Sequence, residues 1–204
     1  MAGETDVINV ALRLIGATPI TSLTDGSPSA NAADDIYVDL RDDLTRSHNW
    51  NFATKRVKLA KSATTPIFEF DNAYPLPADW IKTVSVHDND GGYGTVFYRM
   101  EIVNNQRSIL ASREEIWLRY VFRLTDPNVM SSDFRRAFEL ALARDLAIPL
   151  AASNTLQETY SRQANRKLAQ ARSTDAMGAF PELRPRGSWA TRRGGGRHDS
   201  FTTD

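Results

Sequence analysis

"RSHNWNFATKR", residues 46–56, marks the point where the hydrophobic period of the chain changes. Before it, apolar residues recur at helical spacing. After it, "FATKRVKLA" alternates in the manner of a strand. Trp50 and Phe52 stand two residues apart at the changeover. Two substructures of different period have to be fixed to each other somewhere, and large aromatic side chains bury the most surface for the purpose. Trp50 and Phe52 are therefore expected to be the anchors of a domain junction.

Working back toward the N-terminus, "ETDVINVALRLIG" predicts a helix over residues 4–16. Val7, Ile8, Ala11, Leu14 and Ile15 lie on one face, and Gly16 sits at the C-terminal cap position. "ATPITSLTDGSPS" is a connector. A second helix is expected from an N-cap at Ser29 to about His48, with Ala33, Ile36, Tyr37, Leu40 and Leu44 inward. Asp34, Asp35, Asp39, Asp42 and Asp43 take much of the remaining face.

Working forward, residues 52–124 predict an antiparallel β domain of five or six strands. "PIFEF" reads as one short aromatic stretch of it, and the two prolines of "NAYPLPADW" argue for irregular backbone. "NNQ" between "TVFYRMEIV" and "RSILAS" signals a hairpin. "EEIWLRYVFRL" alternates with Ile116, Leu118, Tyr120 and Phe122 on one side. "DNDGGYG", residues 88–94, is a turn or exposed loop tip. Ser131 or Ser132 can cap a third helix that is apolar almost all round, kinked at Pro149. Thr155 and Glu158 fit a capping box for a fourth helix. Its narrow stripe of Leu156, Tyr160, Ala164, Leu168 and Ala171 suits an outermost position, and Arg162, Arg166, Lys167 and Arg172 point elsewhere.

The expected fold class is α+β: a four-helix bundle with an inserted antiparallel β domain and an extended C-terminal tail. Residues 1–49 would give the first two helices, 50–125 a sandwich- or barrel-like insert, and 126–177 the last two helices. Residues 178–204 would form a tail too polar and Gly-rich to fold alone.

Formal charge is zero, from 25 basic and 25 acidic side chains, so there is no whole-protein basic field for nucleic acid. The balance hides an asymmetry. Residues 1–49 carry eight acidic and three basic side chains, and residues 156–197 carry nine basic and three acidic. Ends of opposite sign suit head-to-tail stacking with copies or partners. Asp35, Asp39 and Asp42 would form an acidic face lining a channel or meeting a neighbour, and Arg162, Arg166 and Arg172 a basic face between subunits.

The absence of Cys excludes disulfides, Cys-ligated zinc and thiol catalysis. No signal pattern and no apolar run of membrane length is evident. His48, His87 and His198 lack metal-ligand spacing. There is no Gly-x-Ser-x-Gly, P-loop or dinucleotide fingerprint. The expectation is a protein that is not an enzyme and has no cofactor or metal. In the tail, Arg184, Arg186, Trp189, Arg192 and Arg193 suit an acidic protein groove, where Trp and Arg act as anchors. They also suit phosphates and a stacked base, so a nucleic-acid-binding accessory protein is the alternative.

Four stretches carry a resemblance when taken in order: "INVALRLIGATPITSL", "RDDLTRSHNWNFATKRVKLA", "YPLPADWIKTVSV" and "YVFRLTDPNVMSSDFRRAFELALARDLAIPLAAS". Over residues 5–175 the chain resembles the tail tubular protein A family, the head-to-tail adaptors of short-tailed and some other tailed bacteriophages. The resemblance implies a helical bundle with an inserted β domain and a ring of about twelve copies. The ring would dock beneath the portal protein, hold the next tail component (nozzle, tail tube or stopper), and leave a channel through which genome DNA passes without sequence-specific binding. The same resemblance implies a place at the head-to-tail interface of the virion, synthesis in the bacterial cytoplasm, and docking to the portal through the C-terminal tail. No membrane partner is implied.

Overall fold

The computed structural model describes residues 3–92, 94 and 96–178. Four helices lie among them: α1 (Glu4–Ile15), α2 (Pro28–Arg46), α3 (Ser132–Ala151) and α4 (Asn154–Met177). Six strands lie between α2 and α3: β1 (Thr54–Lys58), β2 (Asn72–Pro75), β3 (Trp80–His87), β4 (Arg99–Val103), β5 (Gln106–Ala111) and β6 (Trp117–Phe122).

Local chemistry sets the helix ends. Gly16 closes α1 at φ 75°, a left-handed conformation that costs glycine little. Three caps differ from or sharpen the sequence expectation. α2 is capped by Ser27 with Pro28 at its first position, not by Ser29, because Ser27 Oγ accepts from the Ala30 N–H. α3 is capped by Ser131. α4 starts earlier than Thr155, with Ser153 accepting from the Leu156 N–H. Pro149 sits in the last turn of α3, close to where Ala152 ends the helix at φ 47°.

The strands form two antiparallel three-stranded sheets, β1-β6-β3 and β2-β5-β4. Asn104 and Asn105 turn the β4–β5 hairpin, both with positive φ, the geometry of the tight turns that fit strand twist. One expectation fails: "NAYP", read as irregular, forms a strand, Asn72–Pro75, at a sheet edge pairing with β5, whereas the short aromatic "PIFEF" forms none. Pro75 is tolerated there because it ends an edge strand, where a missing N–H leaves no ladder gap.

The architecture corrects the expected four-helix bundle with an inserted β domain. The fold is mixed α+β, but α1, α2 and α4 each pack against α3 instead of forming a clear bundle. The helical core does not stop at the helices either. Phe134, Phe138, Leu142 and Leu146 of α3 share one apolar cluster with Trp50, Ala53 and Leu124, and with Val121 of β6. Strand alternation explains this. Val121 faces the helices, while Leu118 and Tyr120 face Tyr74 and Ile109 of the second sheet in another core. The layers are thus helices, first sheet, second sheet, and a covering segment whose Phe70 packs on Ala73 and Leu110. The first sheet serves two cores at once, which a separately inserted domain would not do.

This shared layer predicts one cooperative unfolding transition. Val121→Ala should destabilise by about 2 kcal/mol. Helical circular dichroism and Trp fluorescence should both shift to the same lower midpoint. Two separated midpoints would contradict a shared core.

Candidate functional site

The segment 48–54 ties several elements together. Trp50 is fully buried. Its Nε1–H donates to Leu44 O of α2 at 3.1 Å, which satisfies the indole's polar atom. Its ring stacks on Phe52 at 5.6 Å and meets Phe134 of α3 edge-on at 4.9 Å. Its carbonyl accepts from Thr54 Oγ1 at 2.7 Å, at the start of β1. Asp175 near the end of α4 completes the junction. Its carboxylate accepts from the Asn51 N–H at 3.1 and 3.2 Å and lies 3.5 Å from His48 Nε2. The Asn51 amide donates back to Asp175 O at 2.7 Å. Trp50 and Phe52 therefore sit where α2, α3, α4 and β1 converge.

His48 packs edge-on against Trp50 at 4.7 Å. Its pKa is lowered from the ordinary value of 6.5, first by desolvation, which outweighs the attraction of Asp175, with Arg172 and Lys82 adding repulsion.

The two charged faces are only partly free. Asp35 and Asp39 are exposed on α2. Asp42 is not: Arg123 Nε donates to it at 2.7 Å, and Arg41 contacts it at 3.0 Å. Arg41 is itself buried, reaching Glu4 of α1 at 3.7 Å. Asp42 therefore joins α2 to the segment after β6. Arg162 and Arg166 are exposed on α4, whereas Arg172 is half-buried and repels a protonated His48. Lys167 binds Asp133 in the first turn of α3 at 2.6 Å. Arg184, Arg186, Trp189, Arg192 and Arg193 lie outside the described residues.

A surface missed by the sequence reading lies at the other end of the molecule. Ile67 is 99% exposed, Phe68 78%, Phe97 73% and Ile102 70%. Ile67, Phe68 and Ile102 line a groove of about 310 Å³ between the covering segment and the end of the β4–β5 hairpin. β4 is also a sheet edge, with unpaired backbone groups along one side. Large apolar side chains therefore stand together in solvent beside an edge strand, a composition unlike that of an ordinary solvated surface. The signal was present in "TTPIFEF", but periodicity cannot tell apolar residues that face a core from apolar residues that face a partner.

Among the described residues there is no group of three or more His, Asp or Glu able to hold a metal ion. No described helix is long and apolar enough to cross a membrane. Compared with protein-family models and with curated proteins, the chain matches none.

Trp50→Ala should cost about 3–5 kcal/mol, as for large-to-small changes in a closed core, measured by denaturant unfolding. The His48 contribution has a definite sign. Its folded pKa lies below the unfolded 6.5, so the unfolded state takes up the proton more readily and stability falls as pH drops through the mid-6 region toward the folded value. His48→Asn should flatten the dependence of Tm on pH in that window. The depressed carboxylates, Asp79 and Asp133 among them, lose their contribution below the ordinary carboxylate value of 3.8, outside it.

Proposed function

We propose that this protein is a structural head-to-tail adaptor of a tailed-bacteriophage virion. Copies assemble into a ring of about twelve beneath the portal. The ring docks through the C-terminal segment, joins the next tail component, and leaves a channel for the genome. The observation that carries this reading is the exposed apolar surface of Ile67, Phe68, Phe97 and Ile102 beside the β4 edge. Leaving such residues in water is unfavourable, and a neighbouring subunit would cover them.

Two further features support it. Exposed Asp35 and Asp39 on α2 and exposed Arg162 and Arg166 on α4 put opposite charges on different helices of one chain. A heterologous contact, repeated around a ring, uses two unlike surfaces of this kind. The order of "WNFA", "LPADW" and "TDP" motifs gives the resemblance to the adaptor family. Junction rigidity also fits the role, since an angular error at Trp50 would recur in every copy.

The test is the native mass of the purified full chain over a range of concentrations, alone and with portal protein. The expected result is a closed assembly of about twelve copies. Ile67→Ser combined with Phe68→Ser should leave circular dichroism unchanged and shift the population to smaller species. A chain that stays monomeric at all concentrations and does not bind portal would overturn the reading.

A further inference from the structure

β4 has a strand partner on one side only, β5, and is an edge of the second sheet. The hairpin decides where its free backbone groups point. Asn104 and Asn105 form the two-residue turn, so Val103 and Gln106 close it as a hydrogen-bonded pair. Hydrogen-bonded and non-hydrogen-bonded pairs alternate along an antiparallel ladder. Val103, Glu101 and Arg99 therefore turn their N–H and C=O groups toward β5, and Ile102 and Met100 turn theirs outward. Side chains alternate as well. Tyr98 packs on the core between the sheets, and Met100 Sδ accepts from Thr83 Oγ1 of β3 at 3.6 Å, so Tyr98, Met100 and Ile102 share the inner face. Val103 packs on the Phe70 cluster and Phe97 stacks on Phe70 at 5.7 Å, so Phe97, Arg99, Glu101 and Val103 share the outer face.

We propose that this edge pairs with a second copy of the chain, which adds its own β4 antiparallel about a two-fold axis at Met100. The stretch "FYRMEIV", residues 97–103, is self-complementary in that register. Met100 meets the Met100 of the copy with both backbones facing outward, so the two exchange N–H···O=C bonds. Arg99 lies opposite the Glu101 of the copy, and Glu101 opposite its Arg99. These are two opposite-charge pairs with Cβ atoms about 5 Å apart. Further out, Tyr98 meets Ile102 and Phe97 meets Val103. Moving the axis to Ile102 sets Glu101 against Val103 and Arg99 against Asn105, which leaves both charges without an opposite. Axes at Arg99 or Glu101 set like charges face to face.

The charges choose the occupant. Charged side chains on an edge strand discourage pairing with a passing strand. Opposite charges two residues apart discourage it with every neighbour except an antiparallel copy. Among the described residues Glu101 makes no ion pair, and Arg99 makes one, with Glu69 at 3.5 Å between exposed side chains. Pairing also takes Phe97, Met100 and Ile102, all exposed in the single chain, out of water. The contact is isologous, whereas a ring contact joins unlike surfaces. It therefore does not rest on the adaptor reading. Because it covers the rim assigned there to a ring neighbour, pair and ring are alternative states of the chain.

The test is a charge exchange in the full-length chain, read by analytical ultracentrifugation over a range of concentrations at low salt. Arg99→Glu alone and Glu101→Arg alone should each weaken pairing about tenfold, because each puts like charges face to face. Arg99→Glu combined with Glu101→Arg restores opposite pairs and should associate as the unaltered chain does. A mixture of the two single variants should form mixed pairs more tightly than either variant pairs with itself. Both positions are exposed, and circular dichroism checks the fold of each variant. Single variants that pair as well as the unaltered chain overturn the proposal, as does a combined variant that fails to recover or a chain that never pairs. A closed ring whose mass is indifferent to all three changes overturns the pair and leaves the adaptor reading standing. Charge-dependent pairs without a ring or portal binding do the reverse.

Discussion

The Trp50 indole is the constraint on which the remaining geometry depends. It fills the space between the end of α2 and the start of α3, and its polar edge is satisfied by the last turn of α2. Two residues on, Phe52 packs against the same Phe134 at 5.2 Å. The backbone between them gives its N–H at Asn51 to Asp175. A seven-residue stretch thus fixes three helix ends and the direction in which β1 leaves. Little of this is adjustable, because a buried aromatic cluster cannot shift without opening a cavity.

From that point the first sheet inherits its place. With β1 fixed, β6 pairs beside it, and Val121 falls against α3. The opposite face of the same strand closes the second core through Leu118 and Tyr120. One sheet therefore transmits position from the helices to the far sheet and its exposed rim. A subunit that must present a contact surface at a set angle benefits from such a continuous path.

Charge was legible as a pattern but not as a set of partners. The sequence grouped Asp35, Asp39 and Asp42 because helical spacing puts them near one another. The fold separates them: Asp42 is taken up by Arg41 and Arg123, and the last of these comes from 81 residues away in sequence. Arg172 parts from Arg162 and Arg166 in the same way, turned toward His48. Ion pairs between distant segments carry no local signal.

What the sequence determined by itself was whatever a few neighbouring residues can decide. It contained the helical stripes, the Gly16 stop, the Asn-Asn hairpin turn, and the burial of Trp50 at the change of period. Each follows from backbone sterics, capping or the cost of hydrating a large apolar ring. What only the tertiary structure decided was which faces meet. It placed Val121 against the helices and made "NAYP" an edge strand. It left Ile67 and Phe68 in solvent. An apolar residue carries the same transfer free energy whether its partner is its own core or another molecule, so burial by a particular neighbour is settled only when the whole chain has closed.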